Sequence, residues 1–178
     1  MTIYRWGYLW FFVAILLSLT NDVVAKFLSK NIYHGHIVFC RFFFGSIAIS
    51  LYYVIFRNKI PINIDYLTIV RSVLMFLGLS LWVYGLSDFD FYLMSLLGYS
   101  IPIIILILSV LIIGERVNKY RLLFSVISLL VIYAHLVYNI GIKSASIIEI
   151  SAICFALFEI LNKIRVKKDT NLDVILNL

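Results

Sequence analysis

Charged side chains inside apolar stretches are the residues of this sequence best suited to chemistry. Asp22 and Lys26 follow the apolar run 14–20, and one charge near the centre of a bilayer costs about 3 kcal/mol. Because the two residues are four apart, they share a helix face and are predicted to form an ion pair. Glu159 and Lys163 repeat this spacing in a later apolar stretch. The sequence therefore predicts two similar membrane helices that each carry an acid and a lysine.

The composition of the chain requires these helices to belong to a membrane protein. Hydrophobic residues make up 63% of the sequence, charged residues 13%, and the mean hydropathy is +1.05. Such values are far from those of soluble domains. Stretches long enough to cross a bilayer as helices lie at residues 6–25, 37–56, 66–86, 91–114, 122–140 and 145–163. The predicted fold is an all-α, polytopic membrane helix bundle of about six transmembrane helices.

Lysine and arginine are distributed unequally between the two sides of this predicted bundle. If the N-terminus is cytoplasmic, the inner side carries Arg5, Arg57, Lys59, Arg116, Lys119, Arg121, Lys163, Arg165, Lys167 and Lys168. The outer side carries Lys26, Lys30 and Lys143. Ten basic residues against three predict a cytoplasmic N-terminus. The net charge of +6 is explained by basic residues on the cytoplasmic side of the membrane, so no nucleic-acid partner is predicted.

The two similar helices are separated by an odd number of crossings, so they are predicted to run in opposite directions through the membrane. This is the arrangement of an inverted-topology repeat, in which the substrate site lies near the midplane between the repeats. The predicted boundary divides the chain into a first repeat at residues 1–141 and the start of a second at residues 142–178.

Four further polar or aromatic residues are candidates for a site. Arg41 lies four residues into its span, where it either snorkels to the membrane surface or binds a carboxylate. Trp82 is either an anchor at the interface or part of a cavity wall on which a heteroaromatic ligand would stack. Pro102 interrupts the fourth span, and Tyr99 and Ser100 beside it are candidate cavity residues because freed backbone groups need polar neighbours.

The sequence contains none of the common catalytic motifs. No Ser, His and Asp grouping, no H-E-x-x-H motif and no glycine-rich phosphate loop is present. His34 and His36 lack a third ligand, so no metal site is predicted. Cys40 and Cys154 form no C-x-x-C motif and are predicted to be core residues. The chain is therefore predicted to have neither catalytic activity nor a cofactor.

Several short motifs resemble those of a known family, the EamA-type drug/metabolite transporters. They are Arg41-Phe42-Phe43-Phe44, Ser100-Ile101-Pro102 and Gly114-Glu115-Arg116-Val117. More narrowly, three segments are similar to the S-adenosylmethionine uptake carriers of obligate intracellular bacteria. These segments are 21–26, 70–86 and 160–163. The resemblance implies a multi-pass protein of the bacterial inner membrane.

The family resemblance also implies a carrier of ten helices, built as five plus five in inverted repeats. This sequence reaches only Val174–Leu178, the opening of a seventh span, so it is predicted to be an N-terminal half with one additional helix. A separate polypeptide would supply helices 7 to 10, and without it the sixth helix is expected to be loosely packed. The alternative is a non-transporting remnant or a membrane protein with a role only in assembly.

The implied function is transport of a small metabolite, S-adenosylmethionine above all, by alternating access. Its carboxylate calls for Arg or Lys, its ammonium and sulfonium for acids, and its adenine for an aromatic surface. The predicted substrate-binding residues are Asn21, Asp22, Lys26, Arg41, Trp82, Tyr99, Ser100, Glu159, Asn162 and Lys163. Membrane lipid is the other predicted partner. Close helix contacts are predicted at two pairs of small residues, Ala14 with Ser18 and Ala152 with Ala156.

Overall fold

A computed structural model describes residues 2–56 and 65–168 of the chain. Every regular element among them is helical. The helices are α1 (Thr2–Leu28), α2 (His34–Phe56), α3 (Tyr66–Asp88), α4 (Phe91–Leu108) and α5 (Lys119–Lys168), and a π-helical turn, Ser109–Ile113, follows α4. All five helices are long and apolar enough to cross a membrane, which confirms the prediction of a polytopic helix bundle. The polar loop at residues 57–61 and the start of a seventh span at residues 174–178 lie outside the described residues.

Gly141 divides α5 into two limbs, α5a (119–140) and α5b (142–168), because its φ of 79° and ψ of 160° are not helical. A hydrogen bond of 2.9 Å joins the hydroxyl groups of Tyr133 and Ser146, which lie 13 residues apart. In a straight helix such residues would be separated by about 20 Å along the axis. The limbs therefore fold back on each other, so the five helices contain six helical segments.

The core of the bundle lies among α3, α4 and α5. In α5b, buried apolar residues that recur at steps of three or four are mostly small: Ala145, Ile148, Ala152, Ala156 and Ile160. Small residues allow helix backbones to approach closely, which is what stabilises helix pairs in lipid. The prediction that this sixth segment is loosely packed is wrong, because its small residues bury it against α3 and α4.

Two glycines of α3 make this close approach possible. A Cβ atom added at Gly78 would lie 3.3 Å from the Cβ of Cys154, and one at Gly85 would lie 3.1 Å from a methyl group of Ile148. The Ser151 hydroxyl also donates a hydrogen bond of 2.9 Å to the Gly78 carbonyl. The α3 and α5b backbones therefore pack directly against each other.

Helices α1 and α2 contribute little to this core. Among their described side chains, only the apolar residues Ala25, Ile37 and Val38 are buried. Most of the remaining apolar side chains face outward, as expected for helices in contact with lipid or with another membrane segment. The predicted small-residue contact of Ala14 and Ser18 does not form a buried interface, since both residues are exposed.

Two hydrogen bonds fix the relative direction of α1 and α5b. Lys26, near the end of α1, donates to the carbonyl of Phe89 at the C-terminal end of α3. Arg165, near the end of α5b, donates to the hydroxyl of Thr68 at the beginning of α3. The two helices therefore end on opposite sides of the bundle, as an inverted repeat requires.

Candidate functional site

A cavity of about 410 Å³ lies where α1, α2, α3, α4 and α5b meet, and we call it the central cavity. Its walls contain five of the ten residues predicted to bind substrate: Asn21, Asp22, Arg41, Trp82 and Glu159. Its other lining residues are Ser18, Met75, Leu79, Ile101 and Phe155. The chain therefore brings two acids, one guanidinium group and an indole ring to a single membrane cavity.

The acid of α1 is paired with the arginine of α2. Arg41 Nη2 lies 3.4 Å from Asp22 Oδ1 and donates a second hydrogen bond of 3.1 Å to the Asn21 carbonyl. Arg41 can reach both groups because it lies near the beginning of α2, directly across from the last turns of α1. Of the two roles considered for Arg41, pairing with a carboxylate is the one it fills.

The predicted ion pair between Asp22 and Lys26 is absent, because each side chain contacts a different helix. Lys26 Nζ donates a hydrogen bond of 2.7 Å to the Phe89 carbonyl. Lys163 likewise turns away from Glu159 and contacts Glu115 at 2.7 Å. Helical spacing places such pairs on one face, but tertiary neighbours decide the partner. The two acids of the repeat line the central cavity, whereas the two lysines do not.

Aromatic side chains form one wall of the central cavity. The Trp82 ring meets Phe155 edge-on, with 6.1 Å between ring centroids. A second cavity of about 280 Å³ also contains Asp22 and Trp82 in its wall and extends to Tyr99. Trp82 therefore lies in a cavity wall, and Tyr99 is in the same neighbourhood although 68% of it is exposed.

Besides the two lysines, two further predicted residues lie outside both cavities. Ser100 is fully buried, and its hydroxyl donates a hydrogen bond of 2.6 Å to the Leu97 carbonyl. The Oδ1 atom of Asn162 is buried and has no hydrogen-bond partner in the described part of the chain. Neither side chain is placed to touch a molecule in the central cavity.

Glu149 is a buried acid that the sequence analysis missed. It lies in α5b, and both of its carboxylate oxygens lack a hydrogen-bond partner among the described residues. The signal was present, because Glu149 stands alone in the apolar segment Ile147-Ile148-Glu149-Ile150. It escaped attention because the residue four positions later is Ile153, so the acid and lysine pattern of the other two sites is missing.

Comparison with known proteins identifies the family. Residues 5–137 match the EamA-like transporter family. The chain belongs to this family. It is also similar to the S-adenosylmethionine uptake transporter of Rickettsia prowazekii, with 28% identity over 172 residues that cover 95% of this chain and 58% of the relative. The protein of the same name from Rickettsia conorii is 28% identical over 175 residues, covering 97% of this chain and 60% of the relative.

This family relationship agrees with the resemblance found in the sequence. The chain spans 58% to 60% of the length of these curated relatives. No solved structure matches the chain. Membership of a transporter family and five helices of membrane length make this chain a multi-pass membrane protein of a transporter family.

Proposed function

We propose that the chain takes part in the uptake of S-adenosylmethionine and that the central cavity is its substrate site. The observation that carries this proposal is the meeting of Asp22, Arg41, Trp82 and Glu159 in one cavity. These residues come from four different helices, and membrane-embedded charges normally mark a substrate or ion pathway.

The charges of the cavity complement those of the proposed substrate. Two acidic residues and one arginine give the lining side chains a formal net charge of −1. S-adenosylmethionine carries a carboxylate, an ammonium and a sulfonium, and so has a net charge of +1 at neutral pH. Opposite charges attract strongly where little water screens them. A cationic substrate is therefore favoured over an anionic one of similar size.

Each chemical group of the substrate has a complementary side chain in this cavity. Arg41 would bind the carboxylate through its planar guanidinium group. Asp22 and Glu159 would face the ammonium and sulfonium groups, and Trp82 offers a face on which adenine or the sulfonium would stack. Arg41 already binds Asp22, so the substrate carboxylate would compete with that acid for the guanidinium group.

Binding of radiolabelled S-adenosylmethionine to the purified chain tests this proposal. S-adenosylhomocysteine is the matched competitor, because it keeps the adenine and the amino acid group but lacks the sulfonium charge. We expect it to compete more weakly than unlabelled S-adenosylmethionine. If the two compounds compete equally, the acids do not recognise the sulfonium charge. If S-adenosylmethionine does not bind at all, the proposed function is wrong.

We also propose that the N-terminus is cytoplasmic, which rests on the ten-to-three distribution of basic residues. Single cysteines at Ser87 and Asn118, in a variant without the native cysteines, test this orientation. An impermeant thiol reagent applied outside the cell is expected to label Ser87→Cys and not Asn118→Cys. Labelling of Asn118→Cys and not of Ser87→Cys would show that the N-terminus lies outside the cell.

Uptake is further proposed to need helices 7 to 10 from a second polypeptide in the same membrane. The support is that the curated relatives are longer than the part matched here. We expect liposomes that contain this chain alone to bind substrate without accumulating it. Co-reconstitution with the remaining part of a Rickettsia relative should restore uptake, whereas uptake by this chain alone would contradict the requirement.

A further inference from the structure

Glu149 lies in a third cavity, separate from the two that contain Asp22 and Trp82. This cavity has a volume of about 400 Å³ and is formed by α4, α5a and α5b. Apart from Glu149 and Tyr133, its lining side chains are six aliphatic residues. Glu149 itself is only 9% exposed. A carboxyl group is therefore buried in an almost wholly apolar environment.

Two polar groups near Glu149 carry no charge that could neutralise an ionised carboxylate. Ser100 lies beside Glu149, but its single hydroxyl proton is donated to the Leu97 carbonyl at 2.6 Å. Its oxygen can still accept a hydrogen bond. The Tyr133 hydroxyl is likewise bonded to Ser146, at 2.9 Å. Glu149 can therefore gain a partner in Ser100 by carrying a proton and donating it.

The other titratable groups near Glu149 are few. From α5a the cavity receives the Tyr133 phenol, and from α4 it receives no charged side chain among its lining residues. Helix α3 presents Gly78 and Gly85 to α5b. On α5b itself, the Cys154 thiol is buried against Gly78. No cation in the described part of the chain pairs with the Glu149 carboxylate.

Helix α4 connects this carboxyl group to the proposed substrate site. The residues before and after Ser100 are Tyr99, which lines the 280 Å³ cavity, and Ile101, which lines the central cavity. Pro102 follows at once, and it has no N–H group to bond the carbonyl one helical turn earlier. Loss of the Glu149 proton would therefore change a contact on a segment of α4 that also forms the substrate site.

We propose that Glu149 is a proton-binding site whose protonation is linked to occupancy of the central cavity. The inference rests on the proposed function for the identity of the substrate, but not for the proton site itself. Glu149 would hold its proton while it donates to Ser100, and release it when α4 shifts around a bound substrate. Ser146 lies one turn before Glu149 on α5b, and its hydroxyl group is bonded to that of Tyr133 on α5a. This pair would begin a proton route from the Gly141 end of the bundle.

Labelling with dicyclohexylcarbodiimide tests the proton site. This apolar reagent adds to protonated carboxyl groups, and mass spectrometry of the digested protein locates the adduct. In the purified full chain in lipid vesicles, we expect several-fold more label at Glu149 than at Glu159, and less label as the pH is raised. No label at Glu149, together with an infrared carboxylic acid band that is unchanged in Glu149→Gln, would overturn the proposal. The infrared band decides the matter even if the reagent cannot enter.

Added S-adenosylmethionine tests the link to the substrate site. The proposal predicts that saturating substrate changes the labelling of Glu149 several-fold in the wild-type chain and much less in Ser100→Ala. If the substrate binds and leaves the labelling unchanged, the link is wrong. If radiolabelled substrate does not bind at all, the proposed function fails, whereas the pH dependence of labelling still decides whether Glu149 binds a proton.

Discussion

The region formed by α3, α4 and α5 is held together differently from the region formed by α1 and α2. In the first, Ala152 and Ala156 are completely buried and α3 contributes Gly78 to the interface. In the second, the small pair Ala14 and Ser18 has the same spacing but remains exposed. One motif therefore marks a tight helix interface in one region and a surface in the other.

Polar contacts attach α1 to the rest of the bundle instead. Asp22 pairs with Arg41, and Lys26 bonds the Phe89 carbonyl. In lipid a side-chain hydrogen bond between helices contributes only about 0.6 to 2 kcal/mol. A substrate that binds Asp22 or Arg41 can replace such a contact, whereas it cannot replace the backbone packing of α3 against α5b. We expect α1 and α2 to move in a transport cycle while α3 and α5b, whose backbones pack directly against each other, stay together.

The largest effect is expected from filling the α3 to α5b interface. In Gly78→Leu, the new side chain would collide with Cys154 and Phe155, whose atoms lie 3.3 to 3.4 Å from an added Cβ. Overpacking of this kind costs about 1 to 3 kcal/mol. Thermal unfolding of the detergent-solubilised chain should show a clear decrease in Tm.

Gly45→Leu on α2 is the matched control for this substitution. Nothing lies within 4 Å of an added Cβ at Gly45, and leucine favours helix more than glycine does. We expect its Tm to stay the same or to rise slightly. Equal losses of Tm in the two variants would mean that α2 is as tightly packed as α3, and the contrast between the regions would disappear.

The next substitution, Asp22→Asn, is expected to weaken the binding of S-adenosylmethionine. Asp22→Asn removes an ionised partner of Arg41 and of the proposed cationic substrate. A hydrogen bond to a charged group is worth about 1.5 to 3 kcal/mol, which corresponds to roughly a tenfold to hundredfold increase in Kd. The control is Lys26→Gln, since Lys26 lies in the same helix but outside the central cavity. Equal losses of affinity in equilibrium binding would show that α1 is important only as a structural element.

These residues also mark the limits of sequence reasoning. Hydropathy predicts the helices well because a membrane leaves few other structures possible for an apolar chain. The inverted-repeat pattern predicts that Asp22 and Glu159 contribute to one site between the repeats. The partner of Asp22 does not follow, because Arg41 belongs to another helix and local spacing carries no information about it. Glu149 stands alone in an apolar segment without the acid and lysine pattern, and its cavity forms only when α4 and both limbs of α5 pack together.

A smaller effect is expected at the aromatic wall of the central cavity. Stacking of a base on an aromatic side chain is worth about 1 to 3 kcal/mol, so Trp82→Ala should raise the Kd for S-adenosylmethionine roughly tenfold. Trp82→Phe keeps an aromatic face and should retain most of the affinity. An unchanged Kd in Trp82→Ala would mean that Trp82 only packs against Phe155 and does not bind the substrate.

The smallest effect should come from Lys163, although it corresponds to Lys26 in the repeated pattern. Its ammonium group lies 2.7 Å from Glu115, but 43% of the Lys163 side chain and 32% of the Glu115 side chain are exposed. Exposed ion pairs contribute about 0 to 1 kcal/mol. The packing of α5b depends on its small residues, so Lys163→Gln should change Tm very little and leave substrate affinity intact. A double-mutant cycle with Glu115→Gln measures the coupling directly. A coupling energy well above 1 kcal/mol would mean that this pair, and not only helix packing, holds the end of α5b in place.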